Sequence, residues 1–323
     1  MTPVCGHGMA RDAILSAACS GRLHHAWILA GPQGIGKASL ARELALILLA
    51  GEEEVGQVAE SHQAAHLFRA GTHPDYAELI RLEKDSGDLA RNISVDQIRA
   101  LGKLLSTAPS ISRRRVILID SADDLERNAA NALLKSLEEP PRDVVFLLVS
   151  HAPSRLLPTI RSRCRMVRLS PLGSADMATA LRAADGALNE GDIMELTQIG
   201  GGSPGRALAL SGLGVHDMIA ALERIVGDGD PLNIARLDLA KALAGKAARR
   251  RFEAFLEQVP AFIAERARSM EGARLKEAIS RWEQARDLAA QAIPLSLDPA
   301  ATIFELCGYV AALAEPQEAG LFA

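Results

Sequence analysis

Gly31-Pro32-Gln33-Gly34-Ile35-Gly36-Lys37-Ala38-Ser39 decides the fold of this chain. The apolar run Trp27-Ile28-Leu29-Ala30 precedes it, and a helix-forming stretch from Leu40 to Ala50 follows. Strand, glycine-rich turn and helix is the arrangement of a P-loop. Glycines let the backbone curl around phosphates, and the helix N-terminus turns its free N–H groups and its dipole towards the anion. Lys37 holds the lysine position of the pattern G-x-x-x-x-G-K-[ST]. The last position departs from it. The hydroxyl that would hold Mg²⁺ is replaced by Ala38, and Ser39 comes one place late, about 100° further round the helix. Gly31, Gly34, Gly36, Lys37 and Ser39 are therefore candidate nucleotide-binding residues, with Mg²⁺ chemistry in doubt.

Strands and helices alternate downstream. Leu40, Leu44, Ile47 and Leu48 form one stripe on the helix after the loop. Tyr76 to Leu82 reads as a strand, and the polar stretch Glu83 to Asn92 as exposed chain. Ser94 and Gln97 form a capping box that starts a helix. Val116-Ile117-Leu118-Ile119 is a buried strand ending in Asp120, a carboxylate in the Walker B position. The next residue is Ser121, which cannot act as a base at neutral pH. Asp123 and Asp124 read as caps of the following helix, whose apolar face is Ala130, Leu133, Leu134 and Leu137 before Pro140-Pro141 stop it. Val144 to Val149 is another buried strand. This alternation predicts an α/β domain built on a parallel sheet. Beyond about Arg168 only helices are expected, with breaks at Gly200–Gly205, Gly227–Pro231, Ala244-Gly245 and Pro294.

The bulk numbers narrow the function classes. Aromatic residues make up 3%, too few for a broad base-stacking surface, and the net charge of −4 does not suit a free-standing nucleic-acid binder. The basic clusters Arg113–Arg115 and Arg249–Arg251 read as solvated charges. Cys5, Cys19, Cys164 and Cys307 are far apart and form no C-x-x-C pair, so neither disulfides nor a cysteine zinc site is expected. His62, His66 and His73 lack a clear fourth ligand, and no zinc is expected there either. No leader pattern and no apolar run long enough for a bilayer are seen, so a cytoplasmic protein without membrane contact is expected.

Asn131-Ala132-Leu133-Leu134-Lys135-Ser136-Leu137-Glu138-Glu139-Pro140-Pro141 resembles the signature helix of clamp-loader subunits in the AAA+ class. Ser162-Arg163-Cys164 looks like their SRC motif, and Gly201-Gly202-Ser203-Pro204-Gly205-Arg206 like their sensor 2 region. Gly21 to Trp27, Gly71-Thr72-His73-Pro74-Asp75 and Val95 to Arg99 are similar to stretches of the delta-prime subunits of bacterial DNA polymerase III. The matches run in order from about residue 7 to 210.

That resemblance implies an AAA+ P-loop domain over residues 1–168, a helical lid over 169–214 and a helical oligomerising collar over 215–323. It implies a subunit that hydrolyses little or no ATP itself and has no polymerase activity of its own. Such a subunit organises a hetero-pentamer with gamma or tau and delta subunits, which loads the sliding clamp onto primed DNA. It implies that Arg163 acts as an arginine finger on a neighbour's nucleotide, that Arg206 is the sensor 2 arginine, and that Ser150 or His151 lies at sensor 1. ATP is the cofactor the P-loop leaves room for. The alternative is an active motor subunit of the gamma or tau kind, against which Ala38 and Ser121 argue.

Overall fold

The computed structural model describes residues 4–314 except 54, 85, 86 and 88. Part of the stretch expected to be exposed after the second strand, and residues 315–323 of the expected collar, lie outside the described residues. The chain divides into two compact units, Met1–Leu208 and Ala209–Ala323.

The first unit opens with α1, Gly8–Cys19, then β1, Ala26–Ala30, and α2, Lys37–Ala50. Next come α3, Gln63–Arg69, the short strand β2, Tyr76–Leu79, and α4, Val95–Leu105. The chain continues through β3, Arg115–Ile119, α5, Arg127–Glu138, and β4, Val144–Ser150. After α6, Pro158–Arg163, and β5, Arg165–Arg168, it ends in α7, Ser174–Ala184, α8, Glu190–Ile199, and α9, Pro204–Leu210. The sheet is wholly parallel, in the order β2-β3-β4-β1-β5.

Both faces of the sheet are covered, which is why its central strands are continuous apolar runs. Successive side chains alternate between the faces. Trp27, Leu29, Val116, Leu118, Val145, Leu147 and Val149 pack with Ile14 of α1 and Leu40, Leu44 and Leu48 of α2. Ile28, Ile117, Ile119, Phe146 and Leu148 pack with Ile98 of α4, Leu133 and Leu137 of α5, and Ile160 of α6. The Ser94–Gln97 capping box forms, with both reciprocal hydrogen bonds. A smaller core, Met177, Leu181, Ile193, Leu196 and Ala207, joins α7, α8 and α9.

One strand is added and one expectation changes. Arg165–Arg168 forms the edge strand β5, paired to β1 from Trp27↔Arg165 to Ala30↔Arg168. Arg115 is not solvated: it is 1% exposed and pairs with Asp75, 0% exposed, at 3.1 Å. Asp75 also accepts from the N–H groups of Ser110, Ile111 and Ser112 at 2.7 to 3.0 Å, which pins the loop after α4 to the turn before β2. Arg114 is buried as well, against Glu53, and of the three arginines only Arg113 is exposed.

The second unit is helical: α10, Val215–Asp228, α11, Ile234–Leu243, α12, Arg249–Ala267, α13, Gly272–Ala292, and α14, Pro299–Ala311. Its core sets Phe255, Val259 and Ile263 of α12 with Ile303, Leu306 and Val310 of α14. The buried residues of α13 are Ala278, Ala285 and Ala292, seven apart, a seam of small side chains that lets neighbouring helices approach closely. Among the described residues no helix is long and apolar enough to cross a membrane.

Candidate functional site

Because β1 lies between β4 and β5, and β4 separates it from β3, the loops after β1, β3 and β4 open on one edge of the sheet. Open α/β sheets bind ligands beyond the carboxyl ends of their strands. A cavity of about 470 Å³ lies there, lined by Gly34, Gly36, Lys37 and Ser39 of the P-loop, Asp120 after β3, and His151 after β4. Leu172, Ala180, Ala183 and Leu208 add apolar wall from the α7–α9 region. Gly31 and Arg206 lie outside this lining.

The loop spends its acceptors on the surrounding protein. Lys37 Nζ donates to the carbonyls of Gly31, at 2.8 Å, and Pro32, at 2.5 Å. Ser203 Oγ donates to Gln33 O at 3.0 Å, Gly205 N to Gly34 O at 2.9 Å, and Leu40 N to Gly36 O at 2.9 Å. His7 Nε2 lies 2.7 Å from Ile35 O, which fixes the proton on Nε2, since a carbonyl only accepts. Every carbonyl from Gly31 to Gly36 thus has a protein donor. Lys37, Ala38 and Ser39, the first residues of α2, whose N–H groups have no acceptor within the helix, line the cavity. Gly34, at φ +77°, is required twice over: a Cβ there would stand 2.5 Å from Ser203 Oγ.

Lys37 is 3% exposed, and burial pushes its ammonium down to about 8 against the partial offset of Asp123 and Asp120. The His151 imidazole is also held below its ordinary value, first by burial and then by Lys37.

Asp120 is not an open ligand. Its Oδ2 accepts from Arg42 Nη2 at 3.2 Å, and the same guanidinium holds Glu78 Oε1. Asp123 is not a helix cap of α5. Its Oδ1 accepts from Ser150 Oγ at 3.0 Å and Ala152 N at 3.1 Å, and its Oδ2 from His151 N at 2.6 Å and Ser121 Oγ at 3.0 Å. Burial alone would raise this carboxyl; those donors outweigh it and hold it low. Asp123 therefore ties the loop after β3 to the loop after β4, while Asp124 pairs with Arg81 at 3.3 Å. Sequence reasoning missed Arg42, Glu78 and His7, and the contacts of Asp123 and Ser203, because each acts across elements distant in the chain.

The fit to a bound nucleotide divides in two. The glycine cradle, the N–H groups of α2 and the cavity volume suit a phosphate chain. The side-chain oxygens a Mg²⁺ ion needs are scarce: Ala38 has none, one oxygen of Asp120 is held by Arg42, and both oxygens of Asp123 accept protein donors. His62 caps α3 by accepting from Ala64 N, and His73 is buried beside Asp75. No group of three or more His, Cys, Asp or Glu among the described residues could hold a metal ion.

Arg163 stands elsewhere, in the last turn of α6, with its side chain 34% exposed. Nη2 pairs with Glu138 Oε1 at 2.7 Å, and Nη1 donates to Thr159 O at 3.0 Å. Cys164, next to it, is partly buried, and burial pushes its thiol up to about 12, so it is inert at neutral pH. Arg206 is the third residue of α9; its N–H donates to Ser203 Oγ at 3.2 Å, the hydroxyl that also holds the P-loop.

The chain is 41% identical over 198 residues to DNA polymerase III subunit delta' of Pseudomonas aeruginosa, and 33% over 199 residues to that of Escherichia coli. These alignments cover 61% and 62% of this chain and 58% of each relative, so the chain spans under two thirds of their length. DNA polymerase III subunit tau of Escherichia coli is 36% identical over 169 residues, covering 52% of this chain and 25% of that one. A solved DNA polymerase III gamma subunit-related protein of Thermotoga maritima is 17% identical with a TM-score of 0.42, covering 94% of this chain and 99% of that one. The first unit is a parallel five-stranded α/β sheet with helices on both faces. A family model described as DNA polymerase III, delta subunit, matches residues 8–173, just over half of the chain, from α1 through β5. The chain belongs to that family.

Proposed function

We propose that this chain is a delta-prime-type subunit of the clamp loader of DNA polymerase III in the cytoplasm, a largely non-hydrolysing AAA+ member that contributes Arg163 to a neighbouring subunit's ATP site. The observation that carries this reading is a separation. The groups for hydrolysis are replaced or tied up in its own cavity, at Ala38, Asp120 and Ser121, while Arg163 is presented on a different surface. A guanidinium is permanently charged and forks onto phosphate oxygens, so it can stabilise the charge that builds on a transferring phosphoryl group.

In this reading residues 1–168 form the nucleotide-binding-like domain, 169–214 the lid and 215–323 the collar that joins gamma or tau and delta subunits in a hetero-pentamer. The sliding clamp and primed DNA are reached through that complex. ATP, if held here, would lie against Gly34, Gly36 and Lys37, and Arg206 would set the lid against it.

The test is ATP turnover of a reconstituted loader with primed DNA and clamp. Arg163→Ala should leave the assembly intact by gel filtration and lower its DNA-stimulated turnover. Unchanged turnover would remove the finger. Mg²⁺-dependent hydrolysis by the isolated chain, abolished by Lys37→Ala, would favour the motor-subunit alternative instead.

A further inference from the structure

We propose that Arg42 is the built-in counter-ion of Asp120, holding the place a divalent cation would need, so that the P-loop cavity of this chain is metal-independent.

Arg42 lies on α2. Its Nε and Nη2 both donate to Glu78 Oε1, at 3.0 and 2.5 Å, and Nη2 also reaches Asp120 Oδ2 at 3.2 Å. Tyr76 O–H donates to the other oxygen of Glu78 at 2.7 Å. Glu78 lies on β2 and Asp120 follows β3, and the two strands pair in register from Tyr76↔Val116 to Leu79↔Ile119. The guanidinium is thus gripped by two carboxylates whose spacing is set by the sheet, not by a flexible loop.

A divalent cation at Asp120 would have to displace this bridge or share one carboxylate with it. A hard ion such as Mg²⁺ needs several oxygen ligands in a tight octahedron. Around Asp120 the neighbouring oxygens are largely engaged. Ala38 carries no side-chain oxygen, both oxygens of Asp123 accept protein donors, and the carbonyls of Gly31 and Pro32 accept from Lys37. Two cations, Lys37 and Arg42, already face the carboxylates of Glu78, Asp120 and Asp123 at this edge of the sheet. The inference concerns this chain's own charges and does not depend on the clamp-loader reading.

Mn²⁺ alone is the probe, read as the electron paramagnetic resonance signal of the free ion over the full chain. The wild type and Asp120→Asn should give the same Mn²⁺ titration. Arg42→Gln, shown folded by its thermal unfolding, should free Glu78 and Asp120 and bind Mn²⁺ at least about tenfold more tightly than the wild type. Arg42→Gln combined with Asp120→Asn should lose that gain. A wild-type site that disappears in Asp120→Asn overturns the proposal, and so does a folded Arg42→Gln that binds no better than the wild type. Should Arg42→Gln not fold, the comparison of the wild type with Asp120→Asn decides by itself.

Discussion

Glu138 Oε1 lies 2.7 Å from Arg163 Nη2, joining the last residue of α5 to the last residue of α6. The pair is well exposed, so its contribution to stability is about 0–1 kcal/mol. It orients the guanidinium without holding it firmly, and a polyphosphate could take the arginine away at little cost. Glu138→Ala should therefore change unfolding free energy in urea by no more than about 1 kcal/mol. A loss of several kcal/mol would make the pair a structural clamp instead of a rest position. In the proposed loader, Arg163→Lys should not restore the ATP turnover that Arg163→Ala loses, because an ammonium cannot reproduce the planar fork. Full turnover with lysine would mean that only the charge matters.

The α9 side of the cavity offers a test of close packing. Gly34→Ala places a methyl 2.5 Å from Ser203 Oγ at a φ of +77°, and should destabilise the first unit by about 1–3 kcal/mol. Ser203→Ala removes one donor to Gln33 O and one acceptor for Arg206 N, at about 1–2 kcal/mol. In the double variant the hydroxyl that the new methyl would strike is gone. The combined loss should fall short of the sum by about 0.5 kcal/mol or more in denaturant titrations. Strict additivity would show that backbone strain at position 34, not the collision, sets the cost.

The elements that chain-local chemistry specifies were legible in the sequence. Gly31–Lys37 between an apolar run and a helix gave the P-loop, and Ser94 with Gln97 gave the start of α4 to the residue. Elements fixed by distant partners were not legible. Arg165-Met166-Val167-Arg168 is too short and too charged to signal a strand; β1 makes it one. Arg115 reads as a solvated charge until Asp75, forty positions away, is brought beside it. Asp123 reads as a cap because its donors come from the end of β4. The turn between α12 and α13 was missed because no proline marks it, only Gly272 at φ +59°. At the candidate site the departures Ala38 and Ser121 could be read directly. Arg42, the residue that ties up Asp120, could not, since nothing in its helix shows that β2 and β3 converge on it.

Asp75 and Arg115 form a fully buried ion pair, and removing one partner strands the other. Asp75→Asn should cost about 3–5 kcal/mol. The dependence on pH follows from the carboxyl itself. Burial would raise it, but the N–H groups of Ile111, Ser112 and Ser110, together with Arg115, outweigh that and hold it below its ordinary value. A carboxyl that is more acidic in the folded state contributes stability above its unfolded value of about 3.9, and this is lost as pH falls through the lower folded value. The wild type should therefore lose stability below about pH 4 faster than Asp75→Asn does. Parallel acid-denaturation curves for the two proteins would show that this pair is not what holds the loop after α4.

Lys37 supplies the opposite case, a buried base. Its ammonium is pushed down to about 8 by burial, so between that value and the ordinary one the unfolded chain binds the extra proton. Stability then rises with pH across that window, and the penalty of burying the charge persists at pH 7. Lys37→Met removes the titration and keeps most of the side-chain volume. The difference in unfolding free energy, wild type minus variant, should be flat below pH 8 and climb towards pH 10, with other alkaline groups cancelling in the subtraction. A flat difference throughout would mean that the hydrogen bonds to Gly31 O and Pro32 O compensate the buried ammonium fully. A phosphate chain in the cavity would act on the same group. It favours the charged lysine, so inorganic triphosphate without metal should move the climb to higher pH if it binds beside Lys37, and leave the curve unchanged if it does not.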